Sequence, residues 1–295
     1  MYAITGISGK VGSAVARALL AAGQPVRAVL RNPDKAKRWS DLGCDVAIAE
    51  MADAAALTAA FAGATAVFIL PPSNFDPSPG FPEAQAVIFA VTRALRASTP
   101  APARVVCLST IGAQAPQLNL LTQLTMMEQA LSTESCPVTF LRPAWFMENS
   151  EWDMARAKEQ GVLCSFLQPL DKAVPMVATA DVGRVAAELL QQTWIGKRVI
   201  ELEGPRGVSQ TEIASALSRL LGRPVRAEAV PRERWGTIFK SQGMHNPIPR
   251  IQMLDGFNEG WIRFEGSPAT LVRGTVTISD VLHSLVVAGN GGGER

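Results

Sequence analysis

Three glycines in the run Gly6-Ile7-Ser8-Gly9-Lys10-Val11-Gly12 carry the clearest chemical meaning in this 295-residue chain. Where such a run joins a strand to a helix, the first glycine permits a tight turn. The second admits a pyrophosphate to the backbone, and the third lets helix and sheet pack closely. Free amides at the helix start then meet the negative phosphates, so the run predicts a dinucleotide site. Arg31 bears on which dinucleotide. The second strand ends Ala28-Val29-Leu30 and is followed by Arg31, where an acidic residue would bind free ribose hydroxyls. A guanidinium there makes paired bonds to a 2′-phosphate and stacks on adenine, with Lys35 one helical turn on. NADP(H) is the preferred cofactor on this reading. NAD(H) stays open, because an arginine alone does not exclude it.

The glycine run works only if a strand delivers the chain to it and a helix carries it away. Residues 2–5 read as that strand and 10–22 as that helix, with Val11, Val15, Ala18 and Ala22 on one face. Further strand-like runs fall at 26–30, 46–48, 66–70, 104–108 and 138–141, with helical patterns at 57–62, 83–97 and 118–131. Strands apolar on both faces and joined by helices imply a parallel sheet between helix layers. Right-handed crossovers make it a doubly wound, Rossmann-type α/β sheet. Prolines 71, 72, 77, 79 and 82 crowd the loop after the fourth strand, where such folds bind ligands; a plain surface connection is the alternative. After Pro143 the sequence becomes irregular until about Ala178. A helix at 181–192, a strand at 198–202 and an S-x-x-E capping box at Ser209 and Glu212 follow. The expected division is a dinucleotide domain over 1–150, rejoined by 178–205. A smaller mixed α/β lobe would take 151–177 and 206–288, with 289–295 a frayed tail.

Charge and cysteine usage exclude several classes. The net charge of +2 comes from 28 basic and 26 acidic residues, with no basic run, so nucleic acid is not an expected partner. Cysteines 44, 107, 136 and 164 form no CxxC pair and only two histidines accompany them, so neither a metal site nor a disulfide framework is expected. A reducing, cytoplasmic setting fits that usage. The opening MYAITGISGK lacks the pattern of a secretory leader, and no uninterrupted apolar run approaches a membrane span.

The segment TGISGKVGSAVARALLAAGQPVRAVLRNPDKA resembles the opening of the NmrA-like proteins, an atypical branch of the short-chain dehydrogenase/reductase superfamily. Further matching blocks are the Leu70-Pro71-Pro72 loop, RVVCLSTIGA at 104–113, TFLRPAWFMEN at 139–149, TADVGRVAAELL at 179–190 and IELEGPRGVSQTEIA at 200–214. The resemblance runs to about Val287. It implies an NAD(P)-binding protein; some members resemble quinone or azo-compound reductases, and others are redox sensors that regulate a protein partner. It also implies that residues 6–11 contact the pyrophosphate and that Arg31 meets the adenosine end. Leu70, Pro71 and Pro72 would flank the ribose and phosphate, and Pro143, Ala144, Trp145 and Phe146 would lie by the nicotinamide.

Conventional members of the superfamily shuttle a proton through a Tyr-x-x-x-Lys pair, in which the lysine lowers the phenol's pKa. That pair is absent. The one tyrosine, Tyr2, lies in the first strand, and no lysine occurs between Lys37 and Lys158. Relatives place His or Lys near Leu124 or Thr125, where this chain has neither. Ser109, after the fifth strand, and Glu128, on the next helix, are the candidate catalytic residues, with Glu148, Asn149 and His245 further off. The expected substrate is a small planar or aromatic acceptor such as a quinone, whose reduced oxygen needs no strong enzymic acid and accepts a hydrogen bond from Ser109. The alternative is a cofactor sensor without turnover.

Overall fold

Alternation within the strands sorts their side chains onto two faces. In the first strand Tyr2 and Ile4 point into one core and Ala3 into another, and the neighbouring strand repeats this with Phe68 against Val67 and Ile69. The computed structural model describes residues 1–267 and 269–290. In chain order its strands are β1 (Tyr2–Ile4), β2 (Val26–Leu30), β3 (Asp45–Ile48), β4 (Ala66–Ile69), β5 (Arg104–Leu108), β6 (Val138–Pro143), β7 (Trp145–Phe146), β8 (Val162–Ser165), β9 (Met176–Val177), β10 (Lys197–Glu203), β11 (Arg226–Ala229) and β12 (Leu271–Arg273). The helices are α1 (Lys10–Ala21), α2 (Ala36–Ser40), α3 (Ala54–Phe61), α4 (Pro82–Ala97), α5 (Thr122–Ser132), α6 (Met154–Gln160), α7 (Thr179–Gln191), α8 (Gln210–Leu221), α9 (Trp235–Ser241), α10 (Ile248–Glu259) and α11 (Ile278–Asn290).

Eight strands form one sheet in the order β12-β10-β6-β5-β4-β1-β2-β3, and every pairing in it is parallel. This is the doubly wound α/β sheet expected from the sequence. Val11, Val15 and Leu19 of α1 and Val182, Val185 and Leu189 of α7 cover one face. Phe61 of α3, Val91 and Leu95 of α4 and Leu131 of α5 cover the other. The chain winds outward through β2 and β3 on one side of β1, then crosses to β4 and winds the other way. Ligands in such sheets bind beyond the strands' C-terminal ends at that reversal, between β1 and β4. The glycine run follows β1 and the proline loop follows β4.

A third core gathers α8, α9, α10 and α11 around Leu217, Trp235, Phe239, Leu254 and Leu282. The stretch after Pro143, irregular by pattern, holds β7 paired with β9, a 3-10 turn over Met147–Asp153, α6, and β8 paired with β11. Pairings of two to four residues are too short to leave a readable period. The helix expected over 118–131 starts later, at Thr122, because the preceding residues are tied elsewhere. Leu120 N donates to Pro249 O and Leu121 N to the Asn119 side chain. The capping box forms: Ser209 Oγ accepts from Glu212 N, and Glu212 Oε2 from Ser209 N. Strand β12 pairs with β10 and so extends the large sheet from within the stretch assigned to the smaller lobe. Helix α11 runs through residue 290, two residues into the expected tail; 291–295 lie outside the described residues. Among the described residues no helix is long and apolar enough to cross a membrane.

Candidate active site

A cleft of about 1000 Å³ opens along the C-terminal ends of β1, β4, β5 and β6 and continues under α10. It reaches the upper end of the range typical of small-molecule sites, about 300–1,000 Å³. One buried hydroxyl positions its floor. Thr5 Oγ1 donates to Phe68 O at 3.0 Å and accepts from Leu70 N at 2.8 Å, pinning the end of β1 to the end of β4. Gly6 therefore lies against Leu70. Its φ is +62°, a left-handed turn that favours glycine, and a Cβ there would stand a tight 3.2 Å from the Leu70 side chain. Gly12 is required for packing alone, since a Cβ would fall 2.3 Å from Gly6 O.

Gly9 differs from both. It is the extended N-cap of α1, supplies no side-chain cap, and a Cβ there would meet only Gly6 O, at 3.4 Å. The first amides of a helix have no partner within it, so the N–H groups of Lys10, Val11 and Gly12 point out of the helix start uncapped. This arrangement fits a phosphate-bearing cofactor. Of the run, Gly6, Gly9, Lys10 and Val11 line the cleft, Ile7 is packed in the core, Ser8 faces outward and Gly12 is buried against Gly6. Lys10 bridges to Glu151 from the 3-10 turn opposite. Arg31 stands exposed after β2, with no hydrogen-bond or ion-pair partner among the described residues. Leu70, Pro71 and Pro72 line the cleft beside the glycines.

The middle of the cleft is made where β5 and β6 end together. Ser109 N donates to Leu141 O and Ile111 N to Pro143 O, which carries the pairing past both strands. Ser109, Pro143, Ala144, Trp145 and Phe146 line the cleft there, so the structure brings these residues to one wall. Glu128 is not on that wall. It lies buried behind Ser109, where Arg142 Nη2 and Nε donate to its two oxygens at 2.6 and 2.8 Å and Ser109 Oγ donates to it at 2.5 Å. Burial opposes charge on Arg142, but its bonds to Glu128 and then Glu265 outweigh that and hold it firmly protonated. Two sequence expectations change as a result. Glu128 has both oxygens occupied and does not face the cleft, so it is not placed to act as an acid. Ser109 has given its one proton to Glu128 and shows the cleft only lone pairs, so it accepts hydrogen bonds and does not donate one to a substrate oxygen. Glu148 is likewise engaged: it accepts from Thr179 N and Oγ1 and caps α7. Tyr2 is buried between β2 and β4, away from the cleft.

The far wall comes from α10, on which Arg250, Met253, Leu254 and Phe257 stand at i, i+3, i+4 and i+7 and face the cleft together. Trp145 meets Phe257 edge to face at 5.1 Å between ring centres. The proline loop is strapped to this lobe through Asp76, which accepts from His245 N and Nδ1 and from Asn246 N. His245 is thus a strap residue whose ring is 94% exposed, outside the cleft wall. Asp153, which the sequence did not single out, also lines the cleft. Its carboxyl has no hydrogen-bond partner among the described residues, and burial pushes it up to about 6, with Arg156 pulling weakly the other way.

Asp153 therefore gives a stability prediction. As pH rises from 4 to 6 the unfolded carboxyl ionises first while the folded one resists, so stability falls across that window and levels above it. A shift of about two units corresponds to about 2–3 kcal/mol at neutral pH. Asp153→Asn, which never ionises, unfolds at higher urea than wild type at pH 7.5. That advantage shrinks to nothing by about pH 4. An advantage that does not vary with pH contradicts the burial argument.

The model of the NmrA-like family matches residues 2–259. The chain is 31% identical over 230 residues to (4-alkanoyl-5-oxo-2,5-dihydrofuran-3-yl)methyl phosphate reductase of Streptomyces griseus, covering 77% of this chain and 76% of that one. It is 28% identical over 262 residues to the NAD(P)H azoreductase of Xenophilus azovorans, covering 88% and 85%. In fold it is similar to the NADPH-dependent quinone oxidoreductase of Escherichia coli, solved with NADPH, with a TM-score of 0.80, 24% identity and coverage of 98% and 100%.

Proposed function

We propose, on the premise that this chain belongs to the NmrA-like family, that it is an NAD(P)H-dependent reductase of planar, electron-poor acceptors such as quinones. The observation that carries the reading is the continuity of the cleft, from the uncapped amides of α1 to the apolar wall of α10. Relatives named as an azoreductase and a phosphate reductase, and a structural neighbour named as a quinone oxidoreductase, support it. In this assignment the amides of residues 10–12 meet the pyrophosphate, Gly6, Gly9 and Gly12 shape its seat, and Ile7 and Ser8 contribute backbone. Leu70, Pro71 and Pro72 flank the ribose and phosphate, and Pro143, Ala144, Trp145 and Phe146 lie by the nicotinamide. Residues 1–150 with 178–205 hold the cofactor, and most of 151–177 and 206–288 hold the acceptor.

Bound in this seat, NADPH supplies the hydride. The chain's own residues exclude water with Trp145, Phe257 and Leu254 and set the acceptor flat against the cleft wall. Quinone, hydride and one proton from water balance as the hydroquinone. Ser109 offers lone pairs and no proton, so a simple ketone, whose alkoxide must be protonated as it forms, does not fit. Turnover of NADPH with quinones and none with simple ketones is the expected result. Ketone reduction at comparable rates overturns the acid-free reading. No turnover on either panel, with tight cofactor binding, overturns the reductase in favour of the sensor.

Arg31 sets the cofactor preference. NADPH binds about tenfold tighter than NADH, about 1.4 kcal/mol, because a guanidinium with no partner among the described residues faces the doubly charged phosphate. Arg31→Ala removes most of that difference and spares NADH. Calorimetry showing equal affinities in wild type, or a preference that survives the substitution, contradicts the assignment.

A further inference from the structure

Arg250 is a half-buried cation in the cleft with no counterion among the described residues. It opens the apolar face of α10, and its guanidinium carbon lies 4.3 Å from the Phe239 ring centre and 5.8 Å from that of Phe75. Stacking between rings satisfies the guanidinium's faces and leaves its in-plane N–H donors unused. Among the described residues no hydrogen bond or ion pair takes them. Among the described residues the other arginines that are not exposed do not share this condition: Arg27 meets Asp45, Arg104 meets Leu190 O, the buried Arg142 meets Glu128, and Arg198 meets Thr139. Burial also works against the charge on Arg250 with nothing set against it.

The carboxylates lining the cleft are not its partners. Glu83 is bonded to Ser78, Glu148 to Thr179 and Glu151 to Lys10, while the charge beside Asp153 is Arg156. The strap from Asp76 to His245 and Asn246 holds the proline loop, and Phe75 with it, against this lobe. The guanidinium is therefore held at one end of an apolar surface made by Met253, Leu254 and Phe257.

We infer that the cleft takes acceptors bearing an anionic substituent, a carboxylate, sulfonate or phosphate, which pairs in plane with Arg250 while the aromatic body lies on the α10 face. The inference deepens the reductase reading, on which it rests for the role of the cleft. A guanidinium suits such groups because its fork of donors matches two oxygens at once.

The test is a binding measurement, so it does not depend on turnover. The protein is first saturated with NADPH, which removes the glycine loop and Arg31 as competing anion sites. It is then titrated with naphthalene-2-sulfonate and with the uncharged 2-naphthalenemethanol. Wild type is expected to bind the sulfonate at least about tenfold tighter. Arg250→Gln loses that preference, and Arg250→Lys, which keeps the charge, retains part of it. Equal binding of the two compounds by wild type overturns the inference even if the glutamine variant fails to fold. So does a preference that survives in a folded Arg250→Gln. A quinone panel run in parallel separates the two claims. Sulfonate preference without quinone turnover sinks the reductase reading alone, and quinone turnover without sulfonate preference sinks this inference alone.

Discussion

Gly9→Val lowers NADPH affinity at least about a hundredfold, about 2.7 kcal/mol, and leaves the melting temperature within a few degrees of wild type. The cause is the contrast among three glycines that look alike in sequence. At Gly9 the φ of −87° is available to any residue, and an added Cβ would find almost no protein neighbour. A valine there is tolerated by the fold and fills the space in front of the uncapped amides, where a pyrophosphate must come. Gly12→Ala does the reverse. Its Cβ would sit 2.3 Å from Gly6 O and 2.8 Å from Ile7 Cα, both backbone, so α1 must move off β1. That overpacking costs about 1–3 kcal/mol or more of stability. Calorimetry and thermal melting on both variants separate the effects. A Gly9→Val protein that binds NADPH like wild type contradicts the seat assigned to the phosphates. One that melts like Gly12→Ala contradicts the open space seen at Gly9.

Arg142→Met is the substitution with the largest expected effect on stability, about 3–5 kcal/mol. The Arg142 and Glu128 side chains are 7% and 10% exposed and joined by two hydrogen bonds, and Ser109 spends its proton on the same carboxylate. Removing the guanidinium leaves Glu128 charged, buried and short of donors. Taking away both partners is milder, because no orphan charge remains. The double variant Glu128→Gln/Arg142→Met is therefore more stable than Arg142→Met alone, and the coupling is read from urea unfolding of the four proteins in the cycle. Additive losses would show that the pair is not coupled.

The sheet was legible in the sequence because its strands are buried on both faces, and a run such as Ala66-Val67-Phe68-Ile69 admits little else. The glycine loop was legible because turn, phosphate approach and helix packing each demand glycine at a fixed spacing. The rest of the site depended on contacts between distant residues. Glu128 stood out as a polar residue on α5, but its role is set by Arg142 on β6. The signal for that pairing was present in Phe140-Leu141-Arg142-Pro143, a charge inside an apolar strand, which requires a buried counterion. Arg250, Met253, Leu254 and Phe257 show the spacing of one helix face. Nothing local tells whether that face meets core or cleft, because α10 also buries Pro249 and Gly256. Asp153 sits in a 3-10 turn with no period, and only the folded chain reveals the burial that raises its pKa.

Mixing the protein anaerobically with NADPH and an excess of 1,4-naphthoquinone, and following both reactants, tests the reductase assignment most directly. Loss of the reduced nicotinamide absorbance matched one for one by hydroquinone, at a rate proportional to protein and abolished in Gly9→Val, is the result predicted here. Bound NADPH that persists at the protein-free rate beside unreduced quinone would contradict it.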